Sequence, residues 1–474
     1  METQCNEQLF NFQAQNRRDV VATFDGGTIS TDGGALLLRQ VEEHVGIIAG
    51  FAKCFADHRD QDLIEHTVEQ LVAQRIYALA LGYEDLNDHD QLRHDPLLAV
   101  LAGKDDPAGN NRRRLRDKGK ALAGKSTLNR LELTPVRADS RSRYKKITVN
   151  RPAVDGFFVD VFLQSYDKAP RQIIIDLDAT DDPIHGNQSG RFFHGYYGNY
   201  CYLPLYIFCG EHLLCARLRP SDIDASAGSV RELERIVAQI RRQWPDVQVI
   251  IRGDSGFCRE PIMYWCENNN VDYVLGLARN ERLTTELAQE LLQAKMQYEQ
   301  TGIAARIFRD FTYQTLKSWS NSRRVVGKAE YLDKGENPRF VVTSLSNQQY
   351  DARSLYEKLC CGRGDMENRI KEQQLCLFAD RTSAATMRAN QLRLWFSSVA
   401  YTLMTAIRRL GLKNTELANA QCDTIRLKLL KVGAQIRVTV RKVWVSLSQS
   451  WPYREIFTMV YRQLQNLRLR PLRC

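Results

Sequence analysis

Gln172-Ile-Ile-Ile-Asp-Leu-Asp178 and Val247-Gln-Val-Ile-Ile-Arg-Gly-Asp254 decide how this chain folds. Each is a short β-branched run with the character of a buried strand, and each ends in a carboxylate. Between them Val230, Leu233, Ile236, Val237 and Ile240 mark one apolar helical face. Strand, helix, strand reads as a parallel crossover, which brings both strand tips to one edge of a sheet. Sites in open sheets form at such carboxyl ends, so Asp176, Asp178 and Asp254 become candidate functional groups. Any one of them alone is as readily a helix cap or an ion-pair partner. Their convergence is the signal.

Working outward, residues 259–269 read as a helix and 271–277 as another strand, while the aromatic and apolar segments of 192–217, broken by Gly195, Gly198 and Gly210, predict two or three more. Residues 301–345 are rich in Arg, aromatic and β-branched side chains and end in Phe340-Val-Val-Thr-Ser-Leu345, as strands inserted in a block. Helical character resumes around 355–377, and Leu392, Phe396, Val399, Leu403 and Ile407 recur every three or four residues. Upstream, Leu36, Leu37 and Val41, then Val68, Leu71, Ile76, Leu79 and Ala80, keep helical spacing, and Asp95-Pro96 starts a helix. The class is α/β. The expected organisation is a helical N-terminal region with a basic connector (1–150), the first part of a core (151–280), a β-rich insertion (281–348), the rest of the core (349–415) and a basic C-terminal hairpin and tail (416–474).

A chain of 474 residues with 43% hydrophobic and 26% charged residues is globular and too long for one ordinary core. Its net charge of +10 bunches along 110–151 and 426–473. Such clusters suit a polyanion that releases counterions on binding, so nucleic acid is the expected partner. Arg112, Arg113, Arg114 and Arg116 carry the first cluster. In the second, residues 425–441 alternate apolar with mostly basic residues about Gly433, which predicts a hairpin with Arg426, Lys428, Arg437 and Arg441 on one cationic face. No apolar run approaches the length a membrane span needs. The 12 scattered cysteines, with no Cys-x-x-Cys pair, and the polar opening stretch fit a reducing cytosol. Cys209, His212 and Cys215 have metal-binding side chains but no clear fourth ligand. Trp319 is a packing residue by default, with base stacking as the alternative. The Gly26-Gly27 and Gly33-Gly34 pairs lack the strand and helix context of a nucleotide-binding loop.

Three motifs in order, Asp176-Leu-Asp-Ala-Thr-Asp181 with His185-Gly-Asn-Gln188, Arg252-Gly-Asp-Ser-Gly-Phe257 and Arg363-Gly-Asp-Met-Glu-Asn368, resemble the DDE transposases of bacterial insertion sequences. The resemblance covers most of the chain. It implies an RNase H-like mixed sheet flanked by helices, with a β-strand insertion before the Glu and a helical N-terminal DNA-binding region. It further implies a triad of metal ligands, Asp178, Asp254 and Glu367, holding two Mg²⁺ ions for which Mn²⁺ substitutes, and no organic cofactor. Asp176 and Asp178 share a strand face, so either is open as first ligand; similarity to the family's Asp-Gly-Thr pattern favours Asp178. The implied activity is cleavage of element ends and joining to target DNA, by a homodimer assembled on the terminal inverted repeats. Arg252 and Arg363 are expected to contact phosphates, and Lys371 is a further expected DNA contact. In the third motif Cys360 stands where the family has Tyr and Gln374 where it has Lys, with Lys371 nearby. Rival readings are a catalytically inactive element-end DNA-binding protein and an RNase H-like nuclease without strand transfer.

Overall fold

The computed structural model describes residues 9–467. Two compact units emerge, Val149–Thr405 and a second built from Met1–Thr148 with Ala406–Cys474.

The Val149–Thr405 unit is organised on a nine-stranded mixed sheet flanked by helices. From one edge its strands run His212–Arg217, Leu205–Cys209, Gln172–Ala179, Gln248–Gly253, Asp272–Leu277, Arg339–Thr343, Arg323–Leu332 and Ala305–Tyr313, with Gly335–Glu336 paired to Arg323–Leu332. Only the three central strands from Gln172 to Leu277 are parallel. The helix Ser229–Gln243 makes the expected crossover, burying Leu233, Ile236, Val237 and Ile240.

The two-residue period of a strand then sorts the side chains. Ile173, Ile175 and Leu177, with Val249 and Ile251, pack in one large core with Phe162, Ile236 and Met263 of the flanking helices. On the other face Ile250, Val274, Val326 and Val341 pack on Leu355 and Leu359. Asp176, Asp178 and Arg252 have the parity of Ile174 and Ile250, so they share the face covered by the segment that leads to Glu367.

The expected inserted block differs from expectation in two ways. It begins with two helices, Glu281–Glu286 and Ala288–Thr301. Its strands also continue the central sheet, because Arg339–Thr343 pairs antiparallel with Asp272–Leu277. Trp319 lies inside this block, 7% exposed and edge-on to Tyr313, so it packs and offers no face to a base.

In the other unit, helices Leu36–Val45, Val68–Ala80 and Pro96–Leu101 are present. Asp95 caps the last of these by accepting from the Leu97 and Leu98 amides. The first and last parts of the chain are joined here by a three-stranded sheet, in which Ala434–Val438 pairs with both Val443–Leu447 and Ile29–Ser30. Gly34 is required by that closeness: a Cβ there would stand 1.9 Å from the Leu429 carbonyl oxygen. The hairpin expected over 425–441 is therefore displaced along the chain. Arg426–Leu430 is a π-helical turn, and the two arms are Ala434–Val438 and Val443–Leu447. No helix among the described residues is long and apolar enough to cross a membrane.

Candidate active site

Parallel pairing sets Arg252 beside Asp176 and Gly253 beside Leu177, so Asp254 follows beside Asp178 at the strand tips. The lower pair is a buried fork: Arg252 Nε donates to Asp176 Oδ1 at 2.5 Å and Nη2 to Oδ2 at 2.8 Å. Its Nη1 donates to the Leu359 carbonyl at 2.6 Å, an approach open because residue 362 is glycine, where a Cβ would lie 2.7 Å from that nitrogen. Arg252 and Asp176 thus hold strand to strand and sheet to helix. The phosphate contact expected of Arg252 gives way to an interior ion pair, since the residue is only 7% exposed.

The upper pair meets a third acid. Glu367 lies in the first turn of the helix Gly364–Lys371, whose Met366 and Ile370 are buried and anchor it. π-helical turns, Leu355–Cys360 and Glu372–Cys376, lie before and after it. Wide turns of this kind re-aim a helix and recur at functional sites. Arg363 Nη2 is 3.2 Å from Asp178 Oδ2, 3.3 Å from Glu367 Oε1 and 3.9 Å from Asp254 Oδ2. One guanidinium nitrogen therefore stands among all three carboxylates named in the sequence, and Asp176 is not among them. Arg363 is turned to the acids rather than outward as a free phosphate contact.

Local bonds fix these side chains. Asp254 Oδ1 accepts from the Gly256 amide at 2.8 Å and Asp178 Oδ1 from the Ala179 amide at 2.9 Å. Burial pushes the Asp178 carboxyl up to about 6; the Arg363 cation opposes this, while the neighbouring Asp254 and Glu367 charges reinforce it. Asp178 is at the back of the site, and Asp254 and Glu367, with side chains 43% and 49% exposed, open towards solvent.

As they stand, no three acidic, His or Cys side chains among the described residues are close enough to share a metal ion. The donor set nevertheless suits one. Three hard carboxylate oxygens already surround a positive charge, as Mg²⁺ demands. The Arg363 Nε, moreover, is buried without a hydrogen-bond partner, so this cation is imperfectly satisfied where it sits.

Other sequence candidates scatter. Gln374, at the family's Lys position, donates to the Asp182 carboxylate at 2.9 Å and to the Asp181 carbonyl at 3.2 Å. Lys371 is exposed on the helix of Glu367. In the other unit, Arg112 pairs with Glu65 at 3.2 Å and with His66, whose imidazole burial pushes down to about 2, helped by Lys104 and Arg112. Arg113 bonds the Asp62 carbonyl and is exposed, as are Arg114 and Arg116; all four line a cleft of about 540 Å³ with Arg93 and Arg130. Arg426 is turned inward, donating to the Ala80 carbonyl at 2.9 Å at the end of the Val68–Ala80 helix. Lys428 lies over the Tyr453 ring, so neither belongs to the hairpin. Arg437 and Arg441 are exposed on it, and Arg437 and Lys442 flank Trp444 at 5.7 and 5.4 Å. The sequence reading missed Lys442 and Trp444, although both lie in the basic run.

No curated protein matches the chain. The sequence profile described as Transposase DDE domain group 1 matches residues 12–469, nearly the whole length. With three acids gathered at the tips of a mixed sheet and a profile that spans both units, the chain belongs to the DDE transposase family, group 1.

Proposed function

We propose that the protein cleaves DNA at the ends of a mobile element and joins the freed ends to target DNA, with Asp178, Asp254 and Glu367 as ligands for two Mg²⁺ ions and Mn²⁺ as a substitute. The observation that supports this most is the convergence of those carboxylates on one cationic nitrogen, in a chain of this family. When bound, the metals supply charge neutralisation and an activated attacking oxygen for phosphodiester chemistry.

The protein's own part is positioning. Two ligands come from adjacent strands, whose parallel pairing holds their spacing, and the third from a helix anchored by Met366 and Ile370. Arg363 balances the acids at rest, and its planar fork suits a phosphate once their charge is otherwise met. Arg252 acts at one remove, by locking Asp176 and the Leu359 carbonyl. In the other unit, Arg437, Arg441 and Lys442 on the hairpin, together with Arg114 and Arg116, present cations to duplex backbone. Two element ends are brought together by a homodimer on DNA. The protein works in the bacterial cytoplasm, where the DNA is.

The test uses DNA carrying the inverted repeats that bracket the protein's own reading frame, incubated with Mg²⁺. Strand cleavage and joining are expected from the wild type and are lost in Asp254→Asn and in Glu367→Gln. Undiminished cleavage in both variants overturns the triad. Cleavage without joined products removes strand transfer from the proposal.

A further inference from the structure

Directly after the strand that carries Asp178, the chain forms a small three-stranded sheet from Asp182–Pro183, Asn199–Tyr202 and Phe192–His194. The last two are the arms of a hairpin whose sequence is Arg191-Phe-Phe-His-Gly-Tyr-Tyr-Gly-Asn-Tyr200. Phe192, Phe193, Tyr196 and Tyr200 are 42%, 58%, 87% and 48% exposed. Large rings open to water this close together mark a binding surface, with Phe193 and Tyr200 on one face of the hairpin, Tyr196 at its tip and Phe192 on the other face.

The rings are arranged. Phe193 and Tyr200 are cross-strand partners and therefore share a face, with centroids 5.6 Å apart and edge to face. The Arg191 guanidinium lies 4.8 Å over Tyr200 and is itself held by the Gly186 carbonyl and Asn187. At the tip, Tyr197 touches Tyr196 at 5.0 Å and His194 at 4.9 Å. Gly195 and Gly198 have no atom within 4 Å of where a Cβ would stand, so the tip is uncovered. The row is also tied to the acids. The Tyr197 hydroxyl donates to the Ala179 carbonyl at 3.4 Å, and the Asn199 amide to Asp181 Oδ2 at 3.2 Å.

We propose that this hairpin is a stacking platform for unpaired bases of the DNA strand held at Asp178, Asp254 and Glu367. The proposal rests on the reading of those acids given above. A ring can meet a base face to face only when the base is out of the duplex stack, so the occupant is unpaired DNA. Aromatic rings interleaved with arginine are how single strands are held without regard to sequence, because every base has a π face. Bonds to residues 179 and 181 make the platform continuous with the place where a backbone would be cut, and the +10 chain attracts a polyanion to it.

The experiment measures binding in EDTA, so that no strand is cut. The probes are a DNA duplex with an unpaired overhang carrying 2-aminopurine and a blunt duplex of the same sequence. The wild type is expected to quench the fluorophore and to prefer the overhang. Phe193→Ala, Tyr196→Ala and Tyr200→Ala are each expected to weaken overhang binding by roughly tenfold and to relieve the quench, with blunt-duplex affinity unchanged. Phe193→Tyr and Tyr200→Phe keep both properties. Tyr196 is exposed enough that its removal leaves the fold intact, which keeps the test decisive if another variant misfolds. The proposal is overturned if the alanine variants retain the overhang preference, if the aromatic exchanges lose as much as alanine, or if overhang and blunt duplex weaken alike. Because binding is read without metal, this outcome is separate from the cleavage test: active Asp254→Asn and Glu367→Gln variants overturn the triad alone.

Discussion

Asp176 and Asp178 leave the same face of one strand, yet Arg252 takes the first and Arg363 the second. The sequence left that choice open because a period of two cannot separate them. The partners separate them, and the consequences of mutation diverge accordingly. Asp176→Asn leaves the Arg252 guanidinium charged and unpaired in the interior, which costs about 3–5 kcal/mol. Thermal unfolding should show a clear fall in melting temperature. Asp178→Asn removes a carboxylate already raised by burial and by two neighbouring acids, so it should melt close to the wild type while losing activity.

A third aspartate sets a pH dependence. Asp182 is fully buried, and burial, together with the charges of Asp380 and Asp181, pushes its carboxyl up to about 8 against the Gln374 hydrogen bond. The folded value is above the ordinary value of 3.8, so the folded state binds the extra proton between the two. Stability from this group is complete below about pH 4 and is lost as pH rises through 8. Asp182→Asn should flatten that slope in denaturation curves collected from pH 4 to 8. An unchanged slope removes Asp182 as its source.

At the scale of elements, the strands Gln172–Ala179 and Gln248–Gly253 and the helix Ser229–Gln243 were legible because uninterrupted β-branched runs and a helical stripe are strong local signals. Residues 425–429 were not. Ile425, Leu427 and Leu429 alternate with basic residues and so mimic a strand, but Ile425 and Leu429 are buried at a helical interval of four while Leu427 is 63% exposed. Five residues are too few to separate the two periods, and the choice is made by packing beside Gly34, far away in sequence. Two helices preceding the inserted strands were likewise unread, as was the aromatic hairpin as more than strands, because its rings are conspicuous only through their exposure. The displaced C-terminal hairpin alters the DNA-binding prediction. Arg437→Glu and Arg441→Glu should weaken duplex affinity and lower the slope of log affinity against log salt by about 1 for each phosphate that is no longer neutralised. Arg426→Ala should instead lower stability by about 1–2 kcal/mol, by removing hydrogen bonds to the Val68–Ala80 helix end, and leave the salt slope alone. The reverse pattern in a filter-binding titration would return Arg426 to the DNA surface.

For the molecule as a whole, the sequence suggested separate N- and C-terminal segments, and the structure gathers Met1–Thr148 and Ala406–Cys474 into one unit. Such closure depends on partners some 400 residues apart, such as Ile29–Ser30 with Ala434–Val438, which no local pattern announces. The three acids were readable across a shorter but still long separation only because their motifs resemble a family; spacing alone does not bring residue 367 to 178. The profile places the chain in its family, and the proposal that it cuts and joins DNA turns on whether these acids hold metal. Manganese anomalous scattering from Mn²⁺-soaked crystals tests it most directly. Peaks bounded by Asp178, Asp254 and Glu367 are expected, with the Arg363 guanidinium displaced and Asp176 still paired to Arg252. Manganese bound at Asp176, or none among the three acids at concentrations that support cleavage, would contradict it.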